Sequence, residues 1–226
     1  MVYSKKCKHL IAVDCVIFGY EDGELKVLLY PRGFEPHKGK WSLLGGFLKE
    51  NETLENSARR VLFQTTGLTD IYLEQVHSFS ELNRDPGGRV VSVAYFALVK
   101  IRQQDHKALE SNGAKWWTLS KIPKTVFDHE KMIKKSLEKL QIKASSELIG
   151  KELLGDMLTI KQLRNLYEAI FQQKMDPGNF RKKVLSLNVL ERLLIKEVSE
   201  SKKGAYYYRF KKSKSMPLAS IVKPKI

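Results

Sequence analysis

Gly46-Phe47-Leu48-Lys49-Glu50-Asn51-Glu52-Thr53-Leu54-Glu55-Asn56-Ser57-Ala58-Arg59-Arg60-Val61-Leu62-Phe63-Gln64-Thr65-Thr66-Gly67-Leu68 is the stretch on which the fold turns. Residues 53–65 predict a helix, because Leu54, Ala58, Val61 and Leu62 recur at the spacing that puts apolar side chains on one face. Gly67 stands where a helix ends in a left-handed residue. Working outward, residues 10–18 and 25–30 predict strands joined through the turn formers Tyr20-Glu21-Asp22-Gly23. Beyond Asp85-Pro86-Gly87-Gly88, residues 89–100 alternate as a strand with Val91, Val93, Tyr95, Ala97 and Val99 on one face. Residues 130–142 predict an amphipathic helix carrying Met132, Ile133, Leu137 and Leu140. The first two thirds of the chain therefore reads as α/β.

A second pattern follows the boundary at Ala144-Ser145-Ser146-Glu147, which divides the chain into domains 1–146 and 147–226. Thr159-Ile160-Lys161-Gln162 fits a capping box, in which hydroxyl and amide satisfy free backbone donors at a helix start. Ile160, Leu163, Leu166, Tyr167, Ile170 and Phe171 continue it as an apolar stripe. Asp176-Pro177 supplies an N-cap and a proline in the first position of a second helix. That helix turns Phe180 and Val184 to a core and leaves Asn179, Arg181, Lys182 and Lys183 outside. An apolar strand at 193–198, a polar turn at 199–204 and a strand at 205–210 complete a winged helix-turn-helix.

Composition sets the outer bounds. The 226 residues are 42% hydrophobic and 29% charged, an ordinary balance for a folded domain. No apolar run approaches the roughly 18–20 residues that span a bilayer. Lys5-Lys6-Cys7-Lys8 before the apolar stretch faintly imitates a signal peptide, but Asp14 interrupts that stretch and favours a strand. Cys7 and Cys15, the only cysteines, are expected as free thiols in a reducing cytoplasm, the expected location of the chain. Charge is uneven: residues 151–226 hold 17 Lys/Arg against 7 Asp/Glu, net +10 of the chain's +15. A basic module for phosphate backbones joined to a more neutral one is the natural reading.

Gly46, Glu52, Arg60, Gly67 and Leu68 stand at the spacing of the Nudix box, G-x5-E-x7-R-E-U-x-E-E-x-G-U, where U is aliphatic. The chain thus resembles the Nudix superfamily, hydrolases of linked nucleoside diphosphates, and the approach Trp41-Ser42-Leu43-Leu44-Gly45-Gly46-Phe47 resembles it too. The resemblance implies an α/β Nudix fold, a mixed sheet with flanking helices. Where the motif has three glutamates this chain has Val61, Gln64 and Thr65. Positions i, i+3 and i+4 share a helix face, so the missing carboxylates are those that would converge on magnesium. We therefore expect no metal site, no cofactor, no catalytic residue and no hydrolysis, with Arg60 kept for a structural salt bridge.

A degenerate box followed by a winged helix resembles the Nudix-related transcriptional regulators, and among them most closely the arabinose-responsive branch. Phe127-Asp128-His129, residues 163–169, Asp176 and Asn179-Phe180-Arg181-Lys182-Lys183 carry that resemblance. It implies a DNA-binding repressor released from its operator by an effector, L-arabinose first and an ADP-ribose-like nucleotide second. Aromatic faces and planar polar groups near the cleft make Phe18, Arg32, Trp41, Tyr95, Asp128 and His129 the effector candidates. Trp41 taken alone is usually a core residue, and His129 taken alone is usually a helix-start histidine making one backbone bond. Asn179 and Arg181 are assigned to base edges, and Lys182, Lys183, Lys202 and Lys203 to the DNA backbone. The partners expected are a palindromic operator duplex and a second copy of the chain, paired through its first domain, with no membrane. The rivals are an active Nudix hydrolase using Glu50, Glu55 or Asp128 as substitute ligands, and an RNA-binding or assembly factor.

Overall fold

Asp22 and Gly23, both with positive φ (53° and 79°), close a two-residue turn between Leu10–Glu21 (β1) and Glu24–Pro31 (β2). Such a turn matches the twist of the strands it joins. Our computed structural model describes residues 9–67, 71–101, 113–198 and 204–211. It resolves into two units, one built from residues up to 19 together with 26–136, the other from 20–25 and 137 onward.

In the first unit a seven-stranded sheet runs β3-β2-β1-β6-β5, where Trp41–Ser42 is β3, Tyr72–Phe79 is β5 and Val90–Lys100 is β6. Leu44–Phe47 (β4) pairs with β1, setting Gly45 opposite Asp14, and Lys115–Thr118 (β7) pairs with β2. Leu54–Thr66 (α1) is capped at both ends as its sequence dictates. Thr53 Oγ1 accepts the Asn56 amide at 3.1 Å, and Gly67, at φ 68°, donates to the Phe63 carbonyl. Its apolar face, Ala58, Val61 and Leu62, packs with Val13, Cys15 and Ile17 of β1 and with Val93, Tyr95, Ala97 and Val99 of β6. Cys15 is a free, fully buried thiol whose pKa is pushed up by loss of hydration and by neighbouring Asp14. Cys7 lies outside the described residues.

The helix expected at 130–142 spans His129–Ser146 (α2), with Met132, Ile133 and Leu140 buried. The second unit adds Lys151–Leu154 (α3), Leu158–Thr159 (β8), Ile160–Phe171 (α4), Pro177–Ser186 (α5), Leu190–Glu197 (β9) and Ala205–Phe210 (β10). Both halves of the capping box form: Thr159 Oγ1 accepts the Gln162 amide, and Gln162 Oε1 accepts the Thr159 amide. Tyr167, wholly buried, stands edge-on to Phe180 at 5.5 Å, and its hydroxyl bridges Ile149 N–H and the Glu147 carbonyl. β10 lies between β8 and β9. The expected α/β unit and winged helix-turn-helix are thus both present.

One detail differs from expectation. The apolar strand begins at Leu190 and does not bury its middle, since Leu194 is 93% and Ile195 57% exposed. As an edge strand of a three-stranded sheet it packs through Leu190, and β10 contributes Tyr208. Among the described residues no helix is long and apolar enough to cross a membrane.

Candidate functional site

A cavity of about 240 Å³ opens in the first unit between β1, β4, the loop after β2 and the start of α2. Its floor is a charge network that only the fold assembles. Asp14, in the middle of buried β1, bonds Ser92 through Oδ2 at 2.5 Å. Arg84 forms a bidentate pair with Asp128 (2.7 and 3.0 Å) and lies 3.9 Å from Asp14. His129 accepts the Leu43 amide on Nδ1 at 3.0 Å, which leaves the imidazole proton on Nε2, 3.6 Å from Asp14 Oδ1. Burial holds the His129 pKa below its ordinary 6.5, opposed in part by Asp14 and Asp128. β4 passes so close to Asp14 that a Cβ at Gly45 would overlap Oδ1.

The mouth is aromatic and cationic. The Arg32 guanidinium lies over Phe34 at 4.0 Å and Phe127 at 4.9 Å, with Nε donating to the Pro36 carbonyl at 2.7 Å. Phe127 has φ 51°, an uncommon conformation for a bulky residue, and it brings the ring within 5.6 Å of His129. Phe34 and Phe47 line the same opening while about half exposed. Asp85, also on the wall, accepts the Gly87 amide.

The six effector candidates separate. Arg32 and His129 line the cavity, while Asp128, paired with Arg84, lines a neighbouring cavity of about 1010 Å³ that shares Arg84 and Phe127 with it. Phe18 is fully buried against Phe96 at 6.4 Å, and Tyr95 sits in the core with its hydroxyl on Gln75. Trp41 stacks edge-on against Trp117 at 5.3 Å. Sequence reasoning passed over Asp14 and Arg84. Asp14 carried a signal, a carboxylate interrupting an apolar strand; Arg84 carried none, being 44 residues from the acid that holds it.

The would-be metal face is occupied by other interactions. Val61 is buried in the core, Thr65 Oγ1 donates to the Val61 carbonyl at 2.8 Å, and Gln64 Oε1 faces Arg60 at 3.5 Å. Arg60 is bound to Glu52, so the remaining box carboxylate points at a guanidinium. These residues do not fit a magnesium ion, which needs a near-octahedral shell of anionic oxygen. No group of three or more His, Cys, Asp or Glu that could hold a metal occurs among the described residues.

In the second unit α5 starts at Asp176, whose carboxylate accepts the Asn179 amide at 2.7 Å, with Pro177 in its first turn. Phe180 and Val184 face inward, while Asn179, Arg181, Lys182 and Lys183 are exposed along the other side. Lys202 and Lys203 lie outside the described residues. On the hairpin, Tyr206 stacks beneath Arg192 and Lys196 at 4.6 and 4.8 Å, two cations that sequence reasoning did not assign. A solvent-facing helix carrying Asn, Arg and Lys beside a hairpin with further cations is shaped and charged for a groove of duplex DNA.

Comparison with known proteins agrees with this geometry. Residues 8–136 match the NUDIX domain, and residues 150–210 match the NrtR DNA-binding winged helix domain. The chain is 32% identical to the ADPR responsive transcriptional repressor NtrR of Acinetobacter baylyi, over 89% of this chain and 82% of that one. It is 35% identical to the ADP-ribose pyrophosphatase of Methanocaldococcus jannaschii, over 55% of this chain and 70% of the enzyme. Among solved structures, Shewanella oneidensis NrtR complexed with a 27mer DNA superposes with a TM-score of 0.78 and 31% identity, covering 89% of this chain and 93% of that one. The NUDIX domain of the same NrtR complexed with ADP ribose gives 0.52 and 35% identity over 61% of this chain and 94% of that one.

Proposed function

This chain belongs to the NrtR family of NUDIX-domain transcriptional repressors with a DNA-binding winged helix, and on that premise we propose that an ADP-ribose-like nucleotide releases it from its operator. The observation that carries the DNA half is α5, a capped helix whose outer side presents Asn179, Arg181, Lys182 and Lys183 to solvent. Asn179 and Arg181 read base edges, and Lys182 and Lys183, with Lys202 and Lys203, hold phosphates. Effector binding and pairing of two copies fall to residues 1–146, and DNA binding to residues 147–226. A two-fold dimer then meets a palindromic site.

L-arabinose, the first choice from sequence, finds no support among the relatives, whose names and complexes point to ADP-ribose. The cavity favours the nucleotide as well, because the Arg32 guanidinium at its mouth can pair with the charge of a phosphate, which a neutral sugar does not supply. The likeness to an ADP-ribose pyrophosphatase keeps hydrolysis as the second reading. Against it stand Val61, Gln64 and Thr65, engaged as described. The NUDIX unit therefore binds without cleaving.

Release requires that the nucleotide bind the DNA-free arrangement more tightly, and the linkage is reciprocal: operator weakens nucleotide binding by the same factor. Fluorescence anisotropy of the full chain on a palindromic duplex selected from a random pool tests this. ADP-ribose lowers operator affinity and L-arabinose leaves it unchanged. A duplex affinity indifferent to ADP-ribose refutes the regulatory reading.

A further inference from the structure

We infer that Asp14 and His129 together read one hydroxyl of a pentose, and that Arg32 reads the phosphate attached to that pentose. This rests on the cavity being the effector site and names what it recognises. His129 Nε2 carries the proton, since Nδ1 accepts the Leu43 amide. At 3.6 Å, Nε2 and Asp14 Oδ1 are too far apart for a good hydrogen bond to each other. Oδ2 is taken by Ser92, and no other described residue bonds Oδ1 or Nε2. A donor and an acceptor thus stand side by side on the cavity wall, in residues only 3% and 7% exposed.

A hydroxyl satisfies both at once, accepting from Nε2–H and donating to Oδ1. A phosphate or carboxylate at that point would meet the Asp14 charge, and an ammonium would leave the imidazole donor without an acceptor. Arg84, held by Asp128 and 3.9 Å from Asp14, gives the buried carboxylate a counter-charge without occupying Oδ1. Gly45 keeps Oδ1 clear, because any side chain there would fill the space. At the mouth Arg32 lies over two rings with Nε spent on Pro36, and no described carboxylate pairs with it. Its terminal nitrogens are left for a phosphate. The cavity, at about 240 Å³, falls below the roughly 300–1,000 Å³ of a site for a whole drug-sized ligand. It suits a pentose with its phosphate, and the base then lies outside against exposed Phe34 and Phe47.

Calorimetric titration of the full chain with ADP-ribose, ADP, ribose 5-phosphate and L-arabinose tests the assignment. Wild type is expected to bind ADP-ribose at least tenfold more tightly than ADP, which lacks the terminal pentose. Asp14→Asn and His129→Asn, tested side by side, bring the two affinities to within about threefold of each other. Arg32→Gln weakens ADP-ribose and ADP by the same factor and leaves any binding of L-arabinose untouched. A folded Asp14 or His129 variant that keeps the wild-type ratio overturns the proposal. If neither variant melts cooperatively, wild type decides: ADP-ribose no tighter than ADP overturns it. Operator release by ADP-ribose with an unchanged ratio sinks this assignment and spares the proposed function. Binding of L-arabinose alone, lost in the Asp14 variant, keeps the hydroxyl pair and sinks the nucleotide reading. Binding of none of the four sinks both.

Discussion

Arg60 closes on Glu52 with two parallel bonds, Nε to Oε1 at 2.5 Å and Nη2 to Oε2 at 2.9 Å, and also donates to the Phe47 carbonyl and Ser57. The pair ties the turn before α1 to the body of the helix. The Arg60 hydrogen bonds hold the Glu52 carboxyl at about 2, below its ordinary 4.5. A carboxylate depressed by folding adds stability above its unfolded value and loses it as pH falls through the folded one. Melting curves should show wild type above Glu52→Gln at pH 6, with the gap closing between pH 4.5 and 2. A gap independent of pH would mean that Glu52 acts through packing alone.

The same pair bears on chemistry. With Glu52 committed to Arg60 and no carboxylate at 61, 64 or 65, the chain should release no phosphate-containing product from ADP-ribose and magnesium above background. Chromatography of the mixture checks it. Robust turnover that Glu52→Gln abolishes would falsify the non-catalytic reading and restore the hydrolase.

Features written locally were legible in the sequence. Gly67 as a left-handed cap, the Thr159–Gln162 box and the Asp176-Pro177 start each depend on residues within one turn of one another. β3, β4 and β8, two to four residues long, carry too little pattern to be seen, since their pairing partners define them. β5 was missed because most of its side chains are exposed or only half-buried, so no alternation shows. Of the candidates chosen by residue type, Arg32 and His129 line the cavity, whereas Phe18 and Tyr95 are core aromatics. The sheet register sets Asp14 opposite Gly45, and long-range contacts, Arg84 to Asp128 and His129 to Leu43, complete the floor.

Tyr167 offers a test of the second unit's core. Its hydroxyl accepts the Ile149 amide at 3.0 Å and donates to the Glu147 carbonyl at 3.2 Å. Phenylalanine keeps the ring against Phe180 but leaves a buried amide without its acceptor. Tyr167→Phe should cost about 1–3 kcal/mol in urea unfolding of the full chain. It should leave ADP-ribose binding unchanged. A loss below about 0.5 kcal/mol would mean that water replaces the hydroxyl.

Arg181 and Lys183 lie two positions apart on the exposed side of α5, yet they should fail differently when removed. A guanidinium can form two parallel bonds to guanine, so its loss is felt at the base it reads. Arg181→Ala should therefore cost about 1–3 kcal/mol on the selected operator and little on scrambled duplex. An ammonium on phosphate carries no sequence information, and its removal returns a condensed counterion to the DNA. Lys183→Ala should accordingly weaken operator and scrambled duplex alike and reduce the salt slope of binding by about one. Neither substitution touches the cavity, so ADP-ribose affinity in the absence of DNA should match wild type. Anisotropy titrations across a salt series measure all three quantities. Equal losses on both duplexes for Arg181→Ala would remove it from base reading and leave Asn179 to carry specificity from this helix.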